Sequence, residues 1–355
     1  MLTSTALTWG LCFTAMLLTA DTPDPQKSAV TRIEDADADY AVQGEYTGSI
    51  FWNGCYQPVG LQVVAGGGGK FQALLYPGGL PGNGYNGSSK TMLSGQRDDT
   101  GVLLSSDVLQ ARWQTGHAVT VSSAHGTVLG YLQPLHRYSL TQGARPPAQA
   151  KILFDGTDTG HLKDVKISPE GFLQIGAETI EPVQDFQLHG EFKTPYMPYA
   201  RGQARGNSGF YVQRRYEVQV LDSFGMEPAV NEIASLYKFK APDMNMSFPP
   251  LVWQTYDIHF TAARFDDMGQ KIAKARITVW HNGVVVQNNV ELENKTGGGR
   301  PESPEPLPIL LQNHGNPVEY RNIWIVDTTP TTASTCLSVC QTSCAAPRVK
   351  WRKCR

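Results

Sequence analysis

From Tyr40 to Asp327 the chain is written in short apolar runs, each closed off by glycine, proline or asparagine. Runs such as "VGLQVVAGGGGKFQALLYPGG" and "HAVTVSSAHGTVLGYLQP" follow the two-residue period of strands, whose successive side chains point to opposite faces. No stretch sustains a strong helical period. Gly (35) and Pro (23) are abundant, and Val, Thr, Tyr and Trp recur in the runs, a composition suited to strands joined by turns. The expectation is an all-β protein built from antiparallel sheets.

Composition shifts divide the chain. Residues 1–20 hold an apolar run ending in Leu18-Thr19-Ala20, which reads as a signal peptide too short to span a membrane and predicts a secreted or periplasmic protein. Residues 21–39, with four acids between Glu34 and Asp39, read as an acidic linker. Residues 40–145 form a small β-rich domain, with a hairpin expected around Gly66–Gly69. Paired prolines, Pro146 and Pro147, mark a boundary. Residues 150–327 then offer about nine short strands, including "FQLHGEFK", "YEVQVLD", "TYDIHF" and "ARITVWH", and predict an antiparallel sandwich or jelly roll. The Asn282-Gly283 pair predicts a tight hairpin turn.

Residues 328–355 form a basic tail with Cys336, Cys340, Cys344 and Cys354; with Cys55 the exported chain would carry an odd number of thiols. The tail lacks histidine and the two-residue Cys spacing of zinc sites, so a poorly ordered or disulfide-clipped extension without a catalytic role is preferred to a metal centre. A formal net charge of -2 gives no electrostatic argument for nucleic acid or an anionic membrane as partner. Sequons at Asn86, Asn245 and Asn294 matter only in a host that glycosylates exported proteins.

Familiar catalytic signatures are missing. The sequence has no G-x-S-x-G elbow, no H-E-x-x-H pair and no phosphate-cradling glycine fingerprint on a strand–helix turn. "RFDDMGQ" at 264–270 reads as a hairpin turn, since it lacks the alternating ligands of a calcium loop. The strand from Tyr216 to Leu221 is more informative. Val218 and Val220 supply a core face, which puts Glu217 and Gln219 together on the other. Two-carboxylate glycosidases need carboxyl groups about 5–5.5 Å or 6.5–9.5 Å apart. This strand face offers one carboxylate and one carboxamide, which suits sugar recognition or a single proton transfer; a solvated outer face fits the pattern equally. His314, among Gln312, Asn313 and Asn316 at a strand end, is a stronger candidate than His259 or His281, which read as structural. In "YRNIWI", alternation puts Tyr320, Asn322 and Trp324 on one side, and Arg321 could hold an oxyanion.

The blocks "LFDG" (153–156), "GNSGFYV" (206–212), "RYEVQVLDSFG" (215–225), "WQTYDIHF" (253–260), "WHNGV" (280–284) and "LQNHGNPVEYRNIWI" (311–325) occur in order. Together they resemble the 3-keto-disaccharide hydrolase family, also described as 3-keto-glucoside 1,2-lyases and 3-keto-2-hydroxy-glucal hydratases. The resemblance implies a concanavalin A-like jelly roll whose concave sheet binds sugar. It also implies elimination across carbons 1 and 2 of a 3-keto-glycoside, hydration of the resulting keto-glucal, or both. A separate oxidoreductase would supply the keto sugar. On that basis His314 or Glu217 is expected to transfer the proton. Arg321 or a bound divalent ion would steady the enolate, and Lys238 would act as acid or oxyanion partner. Asn207, Gln219, Asp222 and Gln312 would hold the sugar. Two departures stand out: "TDTGHL" follows "LFDG" where the family often has Trp, and Asn313 stands where "LQDHG" is common. A non-catalytic carbohydrate-binding module on the same fold, or a cell-surface interaction protein, are the other readings.

Overall fold

The computed structural model describes residues 24–330. The expected signal segment and the four tail cysteines fall outside the described residues; Cys55 is exposed and unbridged among them.

Eight strands come first: β1 (Gly44–Trp52), β2 (Cys55–Gly67), β3 (Lys70–Pro77), β4 (Thr91–Asp98), β5 (Gly101–Ser105), β6 (Leu109–Trp113), β7 (Val119–Ser123) and β8 (Val128–Leu135). Each pairs antiparallel with the next and β1 closes on β8, making a barrel. The β2–β3 hairpin turns through Gly68 and Gly69, both at positive φ, where a side chain would be strained. Alternate residues fill the interior, among them Leu61, Val63, Phe71, Leu93, Leu104, Val121 and Leu132. Eight strands leave a lumen just wide enough to be packed by side chains.

The second domain contains β9 (Lys151–Phe154), β10 (Leu162–Lys163), β11 (Leu173–Gln174), β12 (Glu178–Thr179), β13 (Phe186–Lys193), β14 (Ser208–Val212) and β15 (Tyr216–Val220). It continues with β16 (Gln254–Thr261), β17 (Arg264–Phe265), β18 (Lys271–Ala273), β19 (Ala275–His281), β20 (Val284–Leu292), β21 (Leu310–Leu311) and β22 (Glu319–Asp327). A five-stranded sheet runs β10-β12-β21-β14-β15, and a larger one runs β11-β22-β13-β16-β19-β20 with β9 on β22. The small β17–β18 hairpin carries the Asp266 turn, whose carboxylate accepts the N–H groups of Met268 and Gln270. Asn282 and Gly283 turn the β19–β20 hairpin at positive φ, as the Asn-Gly pair requires. The fold class is therefore the expected one: an antiparallel jelly-roll sandwich preceded by a β-rich domain.

Between the sheets lies an aromatic core. Phe210 sits 5.5 Å from Tyr320 and 5.7 Å from Tyr256, ring centre to ring centre, and Phe192 sits 4.7 Å from Tyr256. In β16 Tyr256, Ile258 and Phe260 face this core, while Thr255, Asp257 and His259 face away. Strand alternation fails in one place. A register shift opposite His189–Glu191, with Asn322 at φ +45, turns both Arg321 and Asn322 to the outer face while Tyr320 enters the core. The simple alternation that groups Tyr320 with Asn322 and Trp324 is thus broken by a bulge.

The two domains are packed on each other. Tyr196 and Leu251 of the second join the barrel's core cluster. Residues 24–39, acidic as a linker would be, lie across the junction: Asp39 accepts the Gly69 N–H (2.7 Å) and pairs with Arg97 (2.7 Å), and Asp37 accepts the Tyr196 hydroxyl (2.9 Å). The connector after β8 lies on the outer face of the larger sheet. There Glu191 accepts bonds from Gly143 N (2.6 Å), Asn322 (2.9 Å) and Arg321 (2.7 Å), and His189 Nδ1 lies 2.7 Å from Asp257. Burial opposes ionisation of Glu191, but the bonds from His189, Asn322, Gly143 and Arg321 hold its pKa at about 2. His189 and Glu191 are buried and Asp257 is half-buried, and the mutual bonds of this cluster fasten the connector.

A second ion pair anchors the connector's start: Arg137 holds Glu45 with both Nε (2.6 Å) and a terminal nitrogen, and donates to Pro81 O (2.7 Å). Removing one member of a buried pair strands the other charge, at a cost of about 3–5 kcal/mol. Arg137→Met should therefore lower unfolding free energy in urea by that order, whereas Arg112→Met, which breaks an exposed pair with Asp98, should change it by less than about 1 kcal/mol.

Candidate active site

The outer face of the five-stranded sheet holds the polar residues that sequence alternation placed there. In β15 Tyr216, Val218 and Val220 enter the core, which aims Glu217 and Gln219 outward. The β14–β15 register sets Tyr211 opposite Glu217 and Gly209 opposite Gln219. The Tyr211 hydroxyl donates to Glu217 Oε2 at 2.6 Å. Two glycines make room for this carboxylate. A Cβ on Gly209 would stand 3.0 Å from Oε1, and one on Gly297 (φ +50) would stand 2.9 Å from Oε2. The 296–299 loop is held there because Thr296 Oγ1 accepts the Glu217 N–H (2.7 Å) and Gly299 N donates to Thr296 O (2.9 Å).

On its far side β15 is paired by the 234–237 segment, through Ala234 N to Gln219 O (2.9 Å), Gln219 N to Ser235 O (3.0 Å) and Tyr237 N to Glu217 O (3.1 Å). The same segment brings Lys238, exposed and at φ +59, to the edge of the site. Glu217 itself is only 2 % exposed. Burial pushes its carboxyl up to about 7, against the opposing pull of the Tyr211 hydrogen bond and the Lys238 charge. With its nitrogen turned toward Glu217, the Gln219 carboxamide donates to Ser208 O (2.9 Å) and to Glu217 Oε1 (3.1 Å). A carboxyl balanced near neutrality among fixed hydrogen-bond partners can accept or deliver a proton.

Several expected site residues gather around Glu217. The amide of Asn207 donates to Gln203 O (2.8 Å), beside Gln219. Gln312 bonds through its backbone N–H to Gly209 O (2.8 Å), and its Oε1 is buried without a partner among the described residues. A Cβ on Gly209 would lie 3.3 Å from that oxygen, so Gln312 and Glu217 flank the same glycine. The loop leaving Gln312 exposes His314 and returns through Asn316, whose Oδ1 accepts the Asn207 N–H (2.8 Å).

Two expected residues are placed differently. Asp222 is buried and committed to Arg205 (2.6 Å), leaving it an anchor for the strand end. Arg321 lies on the outer face of the larger sheet, bonded to Glu191 and 4.1 Å from the Trp253 ring centre. The aromatic core separates it from Glu217, so it does not join this site. Among the described residues no group of three or more His, Cys, Asp or Glu converges as an ion would need, and no step is assigned to a metal. Tyr211, Gln203 and Gly297–Gly299 were not anticipated. Reading 208–220 as a hairpin would have found Tyr211, since that register sets it across from Glu217.

One buried carboxyl, pushed up to about 7, thus stands among amides on the outer face of the five-stranded sheet. The sequence model of the 3-keto-alpha-glucoside-1,2-lyase-like domain matches residues 149–326, and the chain belongs to that family. Among solved structures, a candidate glycosyl hydrolase from Parabacteroides distasonis is 32 % identical, with 51 % of this chain and 84 % of that one covered at a TM-score of 0.45. Two others from the same organism are 17 % and 20 % identical, each covering 50 % of this chain at TM-scores of 0.34, with 94 % and 98 % of their own lengths covered. No curated protein matches the chain.

The raised carboxyl has a thermodynamic consequence. Its folded pKa of about 7 exceeds the ordinary value of 4.5, so between these values the folded state binds more protons than the unfolded one and stability falls as pH rises. Above pH 7 the full penalty, on the order of 3 kcal/mol, is in force. Glu217→Gln removes the titration. Its stability relative to the parent should rise steadily from pH 4.5 to 8 in denaturant melts; a constant difference across that range would contradict the raised pKa.

Proposed function

We propose that the protein cleaves 3-keto-glycosides by elimination, with Glu217 as the base. A ketone on carbon 3 makes the hydrogen on carbon 2 acidic. The Glu217 carboxylate takes that proton, the C–H electron pair becomes the enolate, and collapse of the enolate expels the group on carbon 1 as its C–O bond breaks. His314, on the loop that leaves Gln312, delivers a proton to the departing oxygen. Lys238 offers positive charge to the enolate oxygen. Water adding across the new double bond then completes hydration. Gln219, Asn207 and Gln312 hold sugar hydroxyls, and substrate entry displaces the Gly297–Gly299 loop that abuts the carboxylate.

The observation that carries this reading is the single carboxyl held near neutrality, in a family named for lyase chemistry that needs one base. A two-carboxylate hydrolysis has no second acid on this strand face. The expected export, from residues 1–20, and an upstream oxidoreductase that makes the keto sugar belong to the same proposal.

Purified protein should release aglycone from 3-keto-glucosides and leave the unoxidised glucosides intact. Glu217→Gln should lower kcat by about 10²–10⁴. Because the base must be ionised, kcat/KM should rise with pH through a midpoint near 7. Tyr211→Phe removes a bond that stabilises the carboxylate and should move that midpoint upward. Turnover of unoxidised glucosides, or full activity in Glu217→Gln, would overturn the assignment.

A further inference from the structure

A cavity of about 990 Å³ lies where the barrel meets the jelly roll, at the upper end of the range that holds small-molecule ligands, ~300–1,000 Å³. It is not an extension of the Glu217 site. One wall is Trp253, which stacks under Arg321 on the outer face of the larger sheet, across the core from Glu217. Barrel residues Tyr40 and Trp113 supply further aromatic faces.

Two residues of its lining carry a buried polar atom without a partner among the described residues. Gln43 is 7 % exposed; its Oε1 accepts the Ala65 N–H (3.0 Å), while its Nε2 has no partner among the described residues. Gln142, on the connector, likewise has a buried Oε1 without a partner among them. A buried donor and a buried acceptor left open cost free energy unless something bonds to them. The ionised groups at the cavity already have partners: Glu45 is held by Arg137, and Asp37 accepts the Tyr196 hydroxyl. An anionic ligand therefore meets no free cation, since Arg137, the one Lys or Arg of the lining, is committed to Glu45. What remains is aromatic surface with one free donor and one free acceptor, which matches a ring with an apolar face and hydroxyls that both give and take hydrogen bonds.

We infer that this junction is a second carbohydrate site, binding a neutral oligosaccharide separately from the Glu217 face. The barrel would then hold a glycan while the jelly roll processes a sugar. The inference does not depend on the elimination chemistry.

The test is calorimetric titration of the full chain, parent and Glu217→Gln, with maltohexaose, cellohexaose, xylohexaose and the anionic hexagalacturonate. At least one neutral hexasaccharide should bind both proteins alike. Trp113→Ala and Gln142→Ala should each weaken it about tenfold or more, while turnover of a small 3-keto-glucoside stays at the parent level. Gln142 lies on the connector outside either core, so it carries the test if Trp113→Ala fails to fold. Failure of every neutral sugar to bind would overturn the inference. Binding of hexagalacturonate alone, binding indifferent to both substitutions, or binding lost in Glu217→Gln and kept in Trp113→Ala would do the same.

Discussion

The packing of aromatic rings between the two sheets governs everything that faces outward. Phe192, Phe210, Tyr256 and Tyr320 fill the space with edge-on and tilted contacts, and two of them carry a polar handle to the site strands. The Tyr256 hydroxyl donates to Gln219 O (2.6 Å), and the Tyr320 hydroxyl meets Ser208 Oγ (2.6 Å). The core thus fixes the Gln219 backbone and the Ser208 side chain, next to Gly209, directly. With Val218 and Val220 committed inward, Glu217 and Gln219 can only stand outside. A one-residue slip of β15 would reverse every side chain on it and put a carboxylate among phenyl rings.

Glu191 and Glu217 show how two nearly inaccessible glutamates acquire opposite character. Both lose water, which disfavours the charge. Glu191 recovers the loss through an arginine, an asparagine amide and a backbone N–H, and stays ionised far below neutrality. Glu217 has a tyrosine hydroxyl, an amide and a lysine at the rim, which offset burial only in part. The first arrangement is a fastener. The second leaves a group whose proton is loosely held, which costs stability and suits catalysis.

Strand positions and faces were largely legible because local period and turn chemistry dictate them. The Asn282-Gly283 hairpin, the Asp266 turn and the outward pair Glu217 and Gln219 follow from residues close in sequence. What escaped depends on distant partners. The side taken by Asn322 and Trp324 turns on a bulge opposite β13, more than a hundred residues earlier in the chain, and Arg321 misses the site because β22 pairs into the other sheet. Asp222 looked available until Arg205, brought back by the turn before β14, occupied it. The glycines at 297–299 carry no pattern of their own; their meaning comes from the carboxylate they approach. Closure of the first eight strands into a ring likewise rests on β1 meeting β8, a pairing no local signal announces.

That closure limits how the amino-terminal domain can associate. Its first strand is bonded to its last, so no row of idle amide and carbonyl groups runs along a rim. Recruitment of a foreign peptide or a second copy by lengthening the sheet is consequently barred, and so is the first step toward fibrous stacking. Any companion must engage the staves' outward side chains or enter at an end, where selectivity rests on shape and chemistry rather than on generic main-chain pairing.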